Sequence, residues 1–313
     1  MNQSKDHFVA KTYLNRFLDV DKSLWVYDKQ WLNIKAKTPS QICKEPGGSD
    51  NRFLEKDRAI EDFLSPIENA WSNRMDILQS ADNISSPGYL AAKSTICSYM
   101  AYLRNYTPAT TRVEQEALAA QLETTAQLLY KSGASPPPPK ELKNLDNPFK
   151  EAQFNVDSKF PRAIAAGALH EISNTFFYSP IAILHNNTDS LFLTSDNPLS
   201  LWYKENPLSP YLYLPLTPRL AILVSPFKKI YLTDFYDHSK DQFIDTKLES
   251  IHFLNQLTVK HAEEIVISSQ CSDSILELVK EFKDWQLTNF TVRIKYSKGV
   301  ITQNTSRVAK KGK

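Results

Sequence analysis

The chain predicts an α+β fold, a small mixed β-sheet with a largely helical insertion and C-terminal helices. Two observations carry that expectation. From about residue 51 to 175, apolar residues recur at helical spacing; from about 176 to 300, short apolar or alternating runs bounded by Pro, Asn and Ser take over, with further helical patterns among them. At 313 residues the chain can bury a sizeable core, and a single α+β domain over 1–313 is expected.

The entry segment, residues 1–50, places Val9, Tyr13, Leu14 and Phe17 at the spacing of a helical turn or two. Leu24 to Asp28 is β-rich, and Trp31 to Ile34 is set to pair with it as a hairpin before Pro46-Gly47-Gly48 breaks the chain. Ile60, Phe63, Leu64, Ile67 and Trp71 then mark a helix that Pro66 is expected to kink or restart near Ser65. A second helix spans Tyr89 to Tyr106 and ends at Thr107-Pro108; a third, rich in Ala, Leu and Gln, spans Glu114 to Lys131. Pro136 to Pro139 form a stiff extended stretch, so residues 134–146 are either a connector between subdomains or a surface loop.

After a further helical segment that includes Ala163 to Ile172, strands are predicted at Phe176 to Leu184, Leu191 to Thr194, Leu212 to Pro215 and Leu220 to Val224. A helix over Thr246 to Glu263, a buried strand over Glu264 to Ser268, a helix over Ser274 to Trp285 and a half-exposed strand over Thr291 to Tyr296 complete the series. The basic residues Arg307, Lys310, Lys311 and Lys313 read as a solvated tail.

Composition excludes several classes. With 42% hydrophobic and 23% charged residues and a formal net charge of +2, the chain is ordinary for a globular protein and has no broad nucleic-acid footprint. Cys43, Cys97 and Cys271 are widely spaced, which argues against a disulfide framework or a structural zinc site. The opening residues lack the apolar core of a signal peptide and no apolar run is long enough for a bilayer, so a cytoplasmic protein without a membrane is expected. The seven glycines form no phosphate loop or dinucleotide pattern, so no nucleotide or flavin cofactor is expected. His170-Glu171 lacks the second histidine of a zinc-protease motif, and His185, His238, His252 and His261 have no metal-ligand spacing.

The most pointed stretch is Ser190 to Pro198, where an apolar run stops abruptly at Ser195-Asp196-Asn197-Pro198. Polar groups at the end of a core strand commonly build a site. Asp196, with Asn197 beside it, is placed either to hold a divalent metal or act as a base, or merely to close the strand with an Asx-turn. No Gly-x-Ser-x-Gly elbow surrounds Ser195. Glu61 and Glu68 are seven residues apart, which on a continuous helix puts both on one face about 10 Å apart; they either bind a metal or divide acid and base roles, or lie on a solvated face near Arg52, Lys56 and Arg58. His7 suits proton transfer near neutral pH. Arg104 lies on an otherwise apolar helix and needs an anionic partner, either a ligand or a carboxylate such as Glu61 or Glu68.

Taken in order, His7 with Tyr13-Leu14 and Phe17, Leu24 to Asp28, Ile60-Glu61 with Ile67-Glu68, Arg104 with Thr107-Pro108, Leu193 to Pro198, Leu214 to Pro218, and Asn255 with Ala262-Glu263 resemble the mainly bacterial domain-of-unknown-function family 4238. The likeness runs from His7 to about Ser268. Two departures stand out: Ala10 occupies a position where the family usually has Pro, and its Arg-Thr-Pro block is stretched here to Arg104-Asn105-Tyr106-Thr107-Pro108. The resemblance implies a fold and marks residues, but implies no activity.

The function expected first is hydrolysis of phosphodiesters, nuclease-like, on RNA or DNA, as in a toxin or phage-defence effector. Glu61, Glu68 and Asp196 would hold Mg²⁺ or Mn²⁺, Arg104 would stabilise phosphate charge and His7 would move a proton. The rival is a non-enzymatic module whose Ser-Asp-Asn-Pro loop and Arg104 bind a small ligand or a protein partner, and the low net charge suits it. A third reading has these polar groups only locking the core together.

Overall fold

The computed structural model describes residues 5–56, 58–81, 83–134, 154–203, 210–225, 241–296 and 299–312. Strand β1 (Lys5–His7) pairs antiparallel with β4 (Lys44–Pro46), and between them lie α1 (Lys11–Leu14), β2 (Leu24–Asp28) and β3 (Ile34–Lys37). Helices α2 (Ala59–Gln79), α3 (Tyr89–Tyr106), α4 (Pro108–Lys131) and α5 (Lys159–Phe177) follow. The chain then enters β5 (Ile181–His185), β6 (Thr194–Ser195), β7 (Ser200–Trp202), β8 (Tyr211–Thr217), β9 (Leu220–Val224) and β10 (Gln242–Asp245). Helix α6 (Leu248–His261), β11 (Ile265–Ser268), α7 (Asp273–Phe282) and the hairpin β12 (Trp285–Tyr296) with β13 (Gly299–Lys310) complete the described elements.

The architecture is α+β. The mixed sheet has the order β10-β5-β9-β8-β7, parallel only between β10 and β5. It is not alone: β3-β2-β11-β6 form a second, antiparallel sheet in which Ile265 lies opposite Asp28. The N-terminal hairpin is thus completed by a strand from the far end of the chain.

One aromatic cluster holds helices to sheets. Tyr13, Trp71 and Tyr99 are fully buried with ring centroids 4.9–5.9 Å apart. The Tyr13 hydroxyl donates to the Pro215 carbonyl of β8 at 2.7 Å and lies 2.7 Å from Thr194 Oγ1 of β6, so one side chain of α1 touches both sheets. Elsewhere Lys93 and Asp241 form a buried ion pair at 2.8 Å. Asp241 also accepts from the Tyr89 hydroxyl and the Ile181 N–H, which gives the buried charge the extra partners it needs.

Several expectations are corrected. Helix α2 runs unbroken through Pro66, and Pro66 and Asp62, whose carbonyl loses its N–H partner, are both exposed residues of the helix. Thr107-Pro108 is a start as well as a stop: Pro108 opens α4 and Thr107 Oγ1 caps it by accepting from the Thr110 N–H, so this helix begins well before Glu114. Helix α5 continues to Phe177, so the following strand begins only at Ile181. Of Leu191 to Thr194, only Thr194 joins a ladder, through Ile267. Arg307 and Lys310 are strand residues of β13, not a tail, and the Arg307 guanidinium stacks over Phe290 at 3.8 Å. Residues 135–146 of the connector, His238 and Lys313 lie outside the described residues.

His261 illustrates how tightly the last turn of α6 is fixed. Its Nδ1–H donates to the Leu257 carbonyl at 2.9 Å and its Nε2 accepts from the Leu201 N–H of β7 at 3.0 Å, an arrangement that only the neutral ring satisfies. Burial accordingly lowers its pKa from 6.5 to about 4. A basic group depressed in the folded state contributes stability that is present above pH 6.5 and lost as pH falls through 4. Urea unfolding of wild type and His261→Leu from pH 7 to pH 4 should therefore show the gap between them narrowing by about 3 kcal/mol. A gap independent of pH would mean that the ring titrates normally.

Candidate functional site

Strand β6 ends in a turn that is buried throughout, Ser195 to Asn197. Ser195 Oγ accepts from the Asn197 N–H at 3.1 Å and so shapes the turn from within. Asp196 Oδ1 accepts from the Glu263 N–H at 2.9 Å, and its Oδ2 accepts from Glu264 at 2.7 Å and Ile265 at 3.1 Å. These are the backbone donors of the partly buried link between α6 and β11, which the carboxylate gathers on one side chain. Burial outweighs those donors and pushes the Asp196 carboxyl up to about 6. Asn197 spans the same junction: its Nδ2 donates to the His261 carbonyl at 3.0 Å and its Oδ1 accepts from Thr107 Oγ1 at 2.8 Å. Asp196 and Asn197 thus face backbone and the cap of α4.

His7, Glu61 and Glu68 do come together. They line a cleft of about 520 Å³ between the β1–α1 segment and α2, beside Lys5, Lys11 and Thr12. The unbroken helix keeps Glu61 and Glu68 two turns apart on one face. Most carboxylates of this cleft are paired. Arg58 donates to both Glu61 carboxylate oxygens through Nε and Nη2 and lies 3.6 Å from Asp6, while Lys56 pairs with Asp62. Glu68 is the exception: half-buried, it has neither hydrogen bond nor ion pair among the described residues, and burial raises its pKa, with Lys11 opposing and Glu61 reinforcing the shift. The His7 pKa moves the other way, lowered by burial and by Lys11, with the Pro39 carbonyl opposing. His7 Nε2 and Thr12 Oγ1 are shielded from solvent with their hydrogen-bonding capacity unmet. Lys5 and Lys11 have no ion-pair partner among the described residues, so the charge left unpaired in the cleft is mainly positive.

Arg104 lies elsewhere. It lines a second cleft, of about 450 Å³, walled by α4, the β7–β8 edge and the β12–β13 hairpin. Its ion-pair partner is Glu114 at 3.7 Å, not Glu61 or Glu68.

The five residues expected to converge are therefore divided among a cleft, a second cleft and a buried turn. Glu61, Glu68 and Asp196 do not make a common ligand set, and no group of three or more His, Cys, Asp or Glu side chains among the described residues is arranged to hold a metal ion. Sequence reading missed Lys11, which opens α1 just after His7 ends β1, and the pocket role of Asn289, which only the hairpin pairing reveals.

The family model described as Protein of unknown function (DUF4238) matches residues 5–272. No curated protein and no solved structure matches the chain. The matched region contains the His7 cleft and the Asp196 turn whole, and stops before the hairpin.

The turn yields a direct test. Asp196→Ala removes the shared acceptor of three partly buried N–H groups and should cost about 1–3 kcal/mol in urea unfolding at pH 7. A loss below ~0.5 kcal/mol, typical of surface substitutions, would show that the α6–β11 link holds without it.

Proposed function

The chain belongs to the DUF4238 family, and we propose that the His7–Glu68 cleft, inside the region that the family shares, is the site of a phosphodiester hydrolase acting on RNA. One observation carries the reading: an unpaired, half-buried carboxylate and a histidine line one cleft with pKa values displaced towards each other, and unpaired lysines lie beside them. Pairs of titratable groups tuned in this way divide acid and base roles.

RNA is favoured over DNA because it carries its own nucleophile. In the proposed step neutral His7 takes the proton of the 2′-hydroxyl, the 2′-oxygen attacks phosphorus, and the bond from phosphorus to the 5′-oxygen breaks. Glu68, in its protonated form, gives its proton to the departing 5′-oxygen, and Lys11 balances the charge that grows on the phosphoryl oxygens. The residues present do not gather into a metal site, so no part of the step is routed through Mg²⁺ or Mn²⁺. Glu61 serves to hold Arg58 over the cleft margin, where its guanidinium also faces Asp6 and Asp50. A role in phage defence or as a toxin would rest on such an activity.

The test is incubation of the purified chain with total RNA, single-stranded DNA and duplex DNA, in EDTA and in Mg²⁺. RNA should be cleaved in both conditions, and Glu68→Gln and His7→Gln should each slow it about 10²–10⁴-fold with unchanged circular dichroism. The profile of kcat/KM should be bell-shaped, its acidic limb set by His7, which must lose its proton at a pKa lowered by burial, and its alkaline limb by Glu68, which must keep its own at a pKa raised by burial. A folded wild type that cleaves nothing, or a Glu68→Gln variant as fast as wild type, overturns the reading.

A further inference from the structure

The Arg104 cleft carries chemistry that the proposed hydrolysis does not use. Arg104 Nη1 is shielded from solvent yet makes no hydrogen bond, and its carboxylate neighbour Glu114 stands off at 3.7 Å. Across the cleft, Asn289 Oδ1 is likewise shielded and unpartnered. The orientation of that amide follows from its network: Asn289 Nδ2 donates to Thr291 Oγ1 at 2.9 Å, and the Thr291 hydroxyl donates onward to Asn304 Oδ1 at 2.7 Å. This chain of donors leaves the Asn289 carbonyl oxygen as the free acceptor. The cleft therefore offers a cationic fork with an unused donor, a carboxylate, and an amide acceptor with nothing to accept. Leu201, Leu212 and Phe176 supply an apolar wall.

We propose that this cleft binds a free α-amino acid with an apolar side chain. The ligand carboxylate would pair with Arg104 in the bidentate geometry that a guanidinium favours, its ammonium would donate to Glu114 and to Asn289 Oδ1, and its side chain would lie on Leu201 and Leu212. A zwitterion fits the charges better than a phosphate does. A guanidinium already beside a carboxylate offers a dianion no net positive charge and sets Glu114 against it, whereas a zwitterion gives each group an opposite partner. The 450 Å³ volume lies in the range of small-molecule sites. Arg104 and Glu114 lie within the family match, but Asn289 and Asn304 follow residue 272, so the hairpin makes the site a property of this chain beyond the matched region. Tyr203 fastens the hairpin to the cleft by donating to the Ser306 carbonyl at 2.5 Å.

Calorimetric titration of the full chain with individual amino acids tests this. Leucine and phenylalanine should bind measurably, while N-acetyl-leucine and leucinamide, which each lack one charge, should bind at least 10-fold more weakly. Arg104→Gln should abolish binding and Asn289→Leu should weaken it at least 10-fold, with both variants checked for folding by circular dichroism. Absence of heat with every amino acid at millimolar concentration, equal binding of N-acetyl-leucine, or full binding by a folded Arg104→Gln variant would each overturn the assignment.

Discussion

A buried carboxylate that accepts three consecutive backbone N–H groups sets the frame of this protein. The link from α6 to β11 reverses direction at a corner where Glu263 and Ile265 are half-buried and Glu264 is exposed, and the buried Asp196 carboxylate draws its amides inward. Asp196 takes the Glu263, Glu264 and Ile265 donors, and Asn197 takes the His261 carbonyl just before them. With that link fixed, β11 lies between β2 and β6, and the two ends of the chain share one sheet. Lys29 strengthens the same corner from the other side. Its buried ammonium donates to the Val259, Ala262 and Trp285 carbonyls, and desolvation lowers its pKa to about 8. Donors and acceptors of one reversal are thus matched by two charged side chains that are far apart in sequence.

How much of this was legible in the sequence depended on whether the signal was local. Leu220 to Val224 and Tyr89 to Tyr106 were read to the residue, because β-branched alternation and a helical apolar stripe each end at a strong breaker. The α+β class followed from the same periodicities. What escaped was non-local. Strand β13 carries Arg307 and Lys310 among polar residues, and only its register with β12, Trp285 opposite Lys310, makes it a strand. The short β10 is likewise defined by its parallel neighbour β5. Pro66 misled because a proline's cost depends on which way the orphaned carbonyl faces, and that is a property of the folded surface.

The site shows the same division. Glu61 and Glu68 share a cleft because the helical period placed them there, and His7 joins them through the β1–α1 segment. Ser195-Asp196-Asn197-Pro198, by contrast, carries in its letters no sign of whether its polar groups face a ligand or the backbone. A strand-end Asp that closes a turn and one that faces a ligand read alike until burial is known. Arg104 correctly advertised a need for an anion, but its partner was decided by the corner between α3 and α4, which brings Glu114 back beside it.

That corner connects the frame to both clefts. Thr107 caps α4, and its hydroxyl also donates to Asn197 Oδ1, so the angle at which α4 leaves α3 is tied to the buried turn. Arg104 precedes this cap and Glu114 follows it, so the α3–α4 corner brings the two to 3.7 Å. On the opposite flank, Tyr13 joins α1 to Thr194, one residue before the turn begins, and α1 carries Lys11 into the His7 cleft. The polar residues of this region are accordingly of two kinds. Tyr13, Thr107, Asp196 and Asn197 hold elements at fixed positions, and His7, Glu61, Glu68 and Arg104 are what those positions present to the solvent-filled clefts. A strand-end Ser-Asp-Asn-Pro turn can therefore serve as framework, tying α4 to the α6–β11 link by hydrogen bonds.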